Sequence, residues 1–473
     1  MNYTAPGVYI EEIPTLPASV AGVATAIPAF IGYVETMAED GDANALLNVP
    51  TRITSFLEYE AHFGGAPNET IGLTITDTYD GDNVLTDRTF EATLASPSDF
   101  MLYHSMRMYF ANGGGPCYVV AVGDYNGSVS SGAETPPAGL LGGLAAIKKI
   151  DEPTLLVFPD QISVAGVSST YNAALTQCRQ LKDRFVIMDV KEVTDDPNAD
   201  ATNFRDSGIG IDNLRYGAAY YPYLKTVLNY GYDETALNIT HTVNGTAPGG
   251  APTFAGTLEN LNNNHPSVYR SVLVEMNKLT VTVPPSGVVA GIYARVDRER
   301  GVWKAPANVG VRNVVGPSHK ISQAQQEGLN VDSTGGKSIN VIRSFAGKGT
   351  LVWGARTLAG NDNEWRYVNV RRLFIYAEES ILKATGQMVF EPNDAKTWLR
   401  VKAMIENFLT QLWRDGALAG AKPEQAFFVN IGLGITMNAQ DILEGRMNVE
   451  IGMAAVRPAE FIILKFSHLL QTS

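Results

Sequence analysis

Cysteine is nearly absent from this chain, with two among 473 residues, Cys117 and Cys178. Two cannot build a disulfide framework. Cys117 opens the apolar run Cys117-Tyr-Val-Val-Ala-Val122, and Cys178 shares the apolar side of a helical pattern with Ala174, Leu175 and Leu181. Both read as buried free thiols, which suits folding in a reducing cytoplasm. Long hydrophobic runs are missing as well. Nothing approaches the roughly 18 to 20 apolar residues that span a bilayer. The amino end has neither the basic start nor the apolar stretch of a secretory signal. The chain is therefore expected to be made in the cytoplasm and to insert in no membrane. Positive charge is short: 36 Lys and Arg face 49 Asp and Glu, for a net −13. That balance argues against a nucleic-acid binder, which needs a basic surface to displace phosphate counterions.

Reactive constellations are also lacking. The six histidines (62, 104, 241, 265, 319, 468) show no paired metal spacing such as HExxH. No Ser sits in a Gly-x-Ser-x-Gly elbow. Gly335-Gly-Lys-Ser338 resembles the end of a phosphate-binding loop, but Val331 stands where the pattern needs glycine. Gly208-Ile-Gly210 and Asn112-Gly-Gly-Gly115 lack the dinucleotide spacing. Asp77, Asp80, Asp82 and Asn83 lack the alternation and closing Glu of a calcium loop. Asp160 and Asp189 fall near the carboxyl ends of predicted strands, where open sheets bind ligands. Acids there are also ordinary turn formers and helix caps. A chain this long without a convincing reactive set, cofactor motif or metal cluster is expected to be a building block and not an enzyme. The alternative kept open is an α/β hydrolase or nucleotide-dependent enzyme with its site near Asp160 and Asp189.

What is present is an alternation of short apolar strands with helices. Gly22–Glu35 reads as a strand entering the core, and residues 50–65 as a strand or short helix ending at Phe63-Gly64-Gly65. Ser98 is placed to cap a helix running to Asn112. Strands are expected over Cys117–Gly123, Thr154–Phe158, Phe185–Val190 and Gly217–Tyr221, with helices over Leu140–Ile150 and Tyr171–Lys182. Fully apolar strands of this kind predict a parallel or mixed sheet covered by helices on both faces. The fold class is α/β, a mixed sheet core with β-rich insertion domains and extended strand arms at both ends. Two stretches interrupt it: Thr- and Asp-rich 66–96, with a hairpin at Asp80-Gly81, and turn-rich 226–265. Both read as outer insertions, with a helix near Val268–Lys278 returning the chain to the core. Helices are expected at Asn369–Thr385 and Asp394–Asp415, the second with Trp398, Val401, Ile405, Phe408, Leu409 and Leu412 as a core stripe. Met447–Gly452 reads as a strand.

The two ends stand apart. In residues 1–21, Pro6, Pro14 and Pro17 discourage helix, and between them Gly7-Val-Tyr-Ile-Glu-Glu-Ile13 is short and β-prone. Ala459-Glu-Phe-Ile-Ile-Leu-Lys-Phe466 is a second such run. A lone strand this short does not hold itself together in water and needs a partner.

Several motifs, in order, resemble the contractile tail sheath family. They are Ala5-Pro-Gly-Val-Tyr-Ile-Glu-Glu-Ile-Pro14 with Ala26-Ile-Pro-Ala-Phe-Ile-Gly32, and Phe110-Ala-Asn-Gly-Gly114. The strongest block runs from Pro284-Pro-Ser-Gly-Val-Val-Ala-Gly-Ile-Tyr-Ala294 and Arg300-Gly-Val-Trp-Lys-Ala-Pro-Ala-Asn308 through Val352-Trp-Gly-Ala-Arg-Thr357 and Trp365-Arg-Tyr-Val-Asn-Val-Arg-Arg372. Phe390-Glu-Pro-Asn393, Gly416-Ala-Leu and Pro458-Ala-Glu-Phe461 complete the set. The wording of Leu16–Glu35 is closest to sheaths of extracellular contractile injection systems. Departures fall at Ala455 and Asn430-Ile-Gly-Leu-Gly434, near the C-terminal strand.

The resemblance implies a structural subunit that polymerises around an inner tube and drives its injection by contracting. It implies a helical homopolymer of stacked, hexameric rings, with inner tube, baseplate and terminator or cap proteins as partners, and sheath paralogues where the particle has them. A non-contractile shell or baseplate protein is the alternative within this reading. Assembly is expected in the bacterial cytoplasm, in a phage tail or a released tail-like particle. The implied domains are a linker arm (1–21), an α/β core (22–65 and 97–225), outer insertions (66–96 and 226–265), a C-terminal core (266–458) and a strand arm (459–473). The inter-subunit arms are Pro6, Gly7, Val8, Tyr9, Ile10, Glu11, Glu12 and Ile13, then Glu460, Phe461, Ile462, Ile463, Leu464, Lys465 and Phe466. For the inner-tube contact the resemblance points to charges on one C-terminal helix: Arg371, Arg372, Glu378, Glu379 and Lys383.

Overall fold

The computed structural model describes residues 20–164, 168–206, 209–332 and 334–464. The amino-terminal arm, Pro6–Ile13, and the last two residues of the carboxyl-terminal arm, Lys465 and Phe466, lie outside them. The chain divides into two compact units, one of Ala24–Ile375 with Pro458–Ser473 and one of Met1–Val23 with Tyr376–Arg457.

The larger unit is organised by a nine-stranded sheet. Its middle is parallel: Ile339–Phe345, Gly217–Tyr221, Phe185–Asp189, Leu155–Val157, Pro28–Val34 and Cys117–Asp124 lie side by side. Antiparallel strands close its edges, Thr51–Ile53 on one side and Gly349–Val352 with Val309–Gly310 on the other. The strands of Pro28–Val34, Leu155–Val157, Phe185–Asp189 and Gly217–Tyr221 are buried at every position. Successive residues of Pro28–Val34 meet different helices, as strand geometry requires. Ile31 abuts Gly143 of helix Gly139–Ile147, while Gly32 faces Leu102 of helix Leu102–Ala111. The sheet is therefore covered on both faces. Helix Ser286–Arg300 crosses Leu102–Ala111 closely, because Gly287 and Gly291 lie against the backbone of Ser105 and Tyr109 with no room for a β-carbon. Both cysteines are buried and unbridged, and burial pushes both thiols up.

The two interrupting stretches form one body. Strand Asn238–Asn244 runs parallel to Ile71–Tyr79 in register, Ile239 opposite Leu73, and Leu85–Leu94 completes the hairpin. Ile71, Leu73, Ile75 and Ile239 pack with Leu258, Leu261, Val268, Val272 and Met276 in a core of their own. Helix Pro266–Met276 thus belongs to this outer body and does not return the chain to the main core as its sequence suggested. The return comes one element later, at Thr280–Val283, which pairs with Leu224–Asn229.

One helix start also differs from expectation. Helix Leu102–Ala111 is not capped by Ser98, whose amide and hydroxyl instead donate to Glu69.

The smaller unit holds helix Ala395–Arg414 and a two-stranded sheet. Asp394 caps the helix by accepting from the Thr397 amide at 2.9 Å. Val401, Ile405, Phe408, Leu409 and Leu412 form its buried stripe, while Trp398 is only half-buried and donates its indole N–H to Asn393. In the sheet, Phe427–Ile431 pairs antiparallel with Val449–Met453. Of the stretch 266–458, Ser286–Arg300 and Ile339–Phe345 belong to the larger unit and Tyr376–Arg457 to the smaller.

Candidate assembly surfaces

The carboxyl-terminal segment begins with a clamp. Glu460 receives the Arg356 guanidinium through both oxygens, from Nε at 2.9 Å and Nη2 at 2.8 Å. Asn330 Nδ2 and the Tyr367 hydroxyl donate to the same carboxylate at 2.8 and 2.9 Å. Directly after it, Phe461, Ile462, Ile463 and Leu464 are 70–80% exposed and belong to no helix or strand among the described residues. The described part of the β-prone run, Ala459–Leu464, thus forms no strand within its own subunit, and Glu460 serves the subunit's interior instead of projecting with the arm. Four successive exposed large apolar residues are an interaction surface by default.

The two-stranded sheet is the second such surface. Among the described residues, neither Phe427–Ile431 nor Val449–Met453 pairs with a third strand, so each keeps a row of backbone groups for another partner. A two-stranded hairpin is marginal by itself. Phe428, Leu433, Ile435 and Leu443 around it are all about half exposed or more. Sequence reading missed the strand Phe427–Ile431, although Phe-Phe-Val-Asn-Ile ending at Gly432 carries the β-branched and aromatic signal that would have found it. It also missed Arg356, Asn330 and Tyr367, which no local pattern links to Glu460.

The charges expected to meet an inner tube are not equivalent. Arg371 and Arg372 are buried, so they offer no surface in this conformation. Arg372 pairs with Asp297 through Nη1 at 3.0 Å and Nη2 at 2.5 Å, donates to the Thr25 carbonyl, and lies 4.6 Å from the Tyr293 ring centre. Arg371 lies over Trp365 and Tyr216. A planar guanidinium among aromatic rings explains why two arginines are tolerated inside. Glu378 and Lys383 are exposed on the same helix, Val368–Thr385, with Glu379 bridging to Lys383 at 3.1 Å.

Asp160 and Asp189 are closed to substrate. Asp160 accepts the amides of Tyr33, Met101 and Leu102 at 2.7, 2.6 and 3.0 Å, and so holds the start of helix Leu102–Ala111. Asp189 accepts the Ser286 amide and hydroxyl at 2.7 and 2.5 Å, at the start of the next crossing helix. Both carboxylates are essentially unexposed, and burial pushes each up to about 7 against its hydrogen bonds. They are buried helix caps. The glycine loop before Ser338 is likewise filled from within, since the Asp332 carboxylate accepts the amides of Thr334, Gly335 and Lys337. Among the described residues no group of acidic, His or Cys side chains is arranged to hold a metal ion, and no helix is long and apolar enough to cross a membrane.

Comparison with known proteins identifies the family. Residues 137–358 match the phage tail sheath protein central domain, and residues 360–467 the phage tail sheath C-terminal domain. Among curated relatives, the tail sheath protein of Burkholderia phage BcepMu is 32% identical over 144 residues, and that of Enterobacteria phage T4 is 27% identical over 155. These matches span 29% and 31% of this chain and 30% and 23% of the relatives. Solved structures match end to end. The PVC sheath complex of an extracellular contractile injection system, in its contracted state, is 32% identical with a TM-score of 0.64, covering 99% of this chain and 98% of that one. The contracted helical sheath of the anti-feeding prophage is 32% identical with a TM-score of 0.63, covering 98% and 99%. With two adjoining domain models and full-length relatives of this identity, the chain belongs to the phage tail sheath family, a family of structural proteins and not of enzymes.

Proposed function

We propose that this chain polymerises into a helical sheath around an inner tube and drives the tube forward by contracting. The observation that carries this reading is the exposed apolar run Phe461–Leu464 leaving a fixed root, in a chain whose smaller unit holds a two-stranded sheet with no third strand among the described residues. An extended segment adds to the edge of such a sheet by β-augmentation, with main-chain bonds supplying affinity and alternate side chains such as Phe461 and Ile463 filling pockets. The amino-terminal run Gly7–Ile13, with Val8 and Ile10 on one side, is the second donor in this reading.

Four to six new backbone bonds at roughly 0.5–1.5 kcal/mol each make one arm worth several kcal/mol. Repeated through a lattice, that keeps subunits joined while their bodies repack. Head-to-tail contacts that do not close on themselves generate a helix, as a sheath requires. The stroke then needs no nucleotide, because extended and contracted lattices differ in buried surface. The anti-feeding prophage neighbours solved as a baseplate and as a helical sheath fit a subunit that meets both its own copies and a baseplate. Inner tube, terminator and assembly in the producing cell's cytoplasm complete the reading.

Electron microscopy of assembled material tests it. Two helical lattices of different diameter are expected, and a single unchanging lattice under all conditions would refute contraction. Removal of residues 1–15 is expected to leave folded subunits that do not link, and a normal lattice from that truncation would refute the arm mechanism.

A further inference from the structure

Glu460 is the last residue before the exposed run with ties to the body, and those ties reach the main sheet. Its carboxylate has four donors from three separate places: Asn330 at the end of helix Gln323–Asn330, Arg356 beyond strand Gly349–Val352, and Tyr367 before helix Val368–Thr385. The side chain of Arg356 is 5% exposed, so this fork is nearly dry. Burial by itself raises the Glu460 carboxyl, but Arg356 and Asn330 outweigh it and hold the group below its ordinary range. Arg356 is itself pinned. Its amide donates to Asn340 Oδ1 at 2.7 Å, and Asn340 Nδ2 donates back to the Arg356 carbonyl at 2.7 Å. Asn340 is buried in strand Ile339–Phe345 and also donates to the Ala219 carbonyl of the next strand. A continuous set of hydrogen bonds therefore runs from the root of the arm into two neighbouring parallel strands.

We propose that Glu460, gripped by Arg356, is the anchor that fixes where and in which direction the carboxyl-terminal arm leaves the subunit, so that tension from a neighbouring copy enters the central sheet. This rests on the arm reading above and names the positioning residues behind it. A terminal coil segment that only needed solubility would gain little from a buried, bidentate ion pair with two further donors, since a buried pair offers small net stability. Fixed direction is what such a fork supplies. Without it the ordering of the arm falls on the assembly step, which raises the concentration needed to polymerise.

The test uses the full chain with three changes: Glu460→Gln, Tyr367→Phe, and truncation after Glu460. Each is measured for the thermal midpoint of the unassembled subunit and for the critical concentration of assembly. Glu460→Gln is expected to raise the critical concentration about tenfold, the equivalent of one charge-assisted bond, with Tyr367→Phe shifting it less and in the same direction. Tyr367→Phe is expected to keep a midpoint near the parent's, whereas Glu460→Gln leaves the buried Arg356 guanidinium facing a neutral amide and is expected to lower it, so critical concentrations are compared at a temperature where every variant's subunit is fully folded. The truncation is expected not to assemble. A Glu460→Gln chain that assembles at the parent's concentration overturns the anchor, as does a Tyr367→Phe chain whose midpoint falls with no change in critical concentration. A truncated chain that assembles normally overturns the arm reading itself, so the two failures are told apart.

Discussion

The ring of Phe428 lies across the α-carbon of Gly452 on the paired strand, so closely that a methyl group at position 452 would overlap it. Glycine in a strand ordinarily weakens the strand. Here it makes room for an aromatic side chain that covers the only ladder in the smaller unit's described part. Gly452→Ala is therefore expected to push the half-exposed Phe428 ring aside and to destabilise that unit by about 1 kcal/mol, less than overpacking a closed core. Hydrogen exchange checks it: amides of Phe427–Ile431 and Val449–Met453 should lose protection while those of Phe185–Asp189 keep theirs. If this sheet receives the arms, the variant should also assemble poorly, even at temperatures where the subunit stays folded.

Asp189 gives a pH dependence with a definite sign. Burial raises its folded pKa to about 7, above the ordinary carboxylate value. Such a group stabilises the fold fully below its unfolded pKa, near 3.9, and that contribution is lost as pH rises toward 7. At ~1.4 kcal/mol per pH unit, the upper bound across the window is about 4 kcal/mol. Asp189→Asn keeps an acceptor for the Ser286 amide and an amide group for its hydroxyl, without a charge. Denaturant titrations from pH 4 to 7 should show the variant overtaking the parent as pH rises. An enzyme built on Asp189 would instead lose an activity, and equal slopes for both chains would remove the charge argument.

The outer body hangs on another buried carboxylate. Asp77 is unexposed, takes the Arg88 guanidinium at 2.5 and 2.8 Å, and meets His241 Nε2 at 3.2 Å. The Phe254 amide donates to His241 Nδ1 at 3.3 Å, which leaves Nε2–H to donate to Asp77, so a neutral imidazole suffices. Arg88 lowers the Asp77 pKa against burial. This cluster joins strands from both interrupting stretches. Asp77→Ala is expected to lose about 3–5 kcal/mol, because it strands the Arg88 charge. The loss should be local: proteolysis should open the outer body while the main sheet persists. The parent's own contribution from this pair should be present above pH 4 and fall away only as pH drops through the depressed folded value.

The sequence disclosed what periodicity and composition can carry. Pro28–Val34 and Phe185–Asp189 lie within the predicted strands, Cys117–Asp124 runs one residue past its predicted end at Gly123, and the apolar stripe of Ala395–Arg414 faces inward as its spacing required, apart from half-buried Trp398. It failed where partners are distant. Ser98 has the chemistry of a helix cap, but Asp160, about sixty positions on, took that place while Glu69 took Ser98. The union of 66–96 and 226–265 was invisible because a parallel pairing such as Leu73 with Ile239 leaves no local mark. Arg371 and Arg372 looked like surface charges because helical pattern does not reveal that Asp297, Tyr293, Trp365 and Tyr216 surround them.

That last difference separates two kinds of charge on helix Val368–Thr385, and a paired experiment distinguishes them. Arg372 and Asp297 have side chains 3% and 5% exposed. Arg372→Ala leaves Asp297 buried without its guanidinium, so a loss of about 3–5 kcal/mol is expected. It should appear in the subunit's melting curve and change little with salt, since a dry pair is poorly screened. Glu378 and Lys383 are exposed, and the bridge from Lys383 to Glu379 is of the helical i,i+4 kind worth about 0.3–0.5 kcal/mol. Reversing both, as Glu378→Lys with Lys383→Glu, breaks that bridge and sets a carboxylate at position 383 against Glu379, so a loss of about 1 kcal/mol in subunit stability is expected, well below that of Arg372→Ala. If this face grips an inner tube, the reversal should weaken co-sedimentation of sheath with tube, most at low salt and progressively less as salt screens the exposed charges. Unchanged tube capture at low salt would place the grip on another surface, and a large fall in melting midpoint from the reversal would show that these charges also serve the subunit's interior.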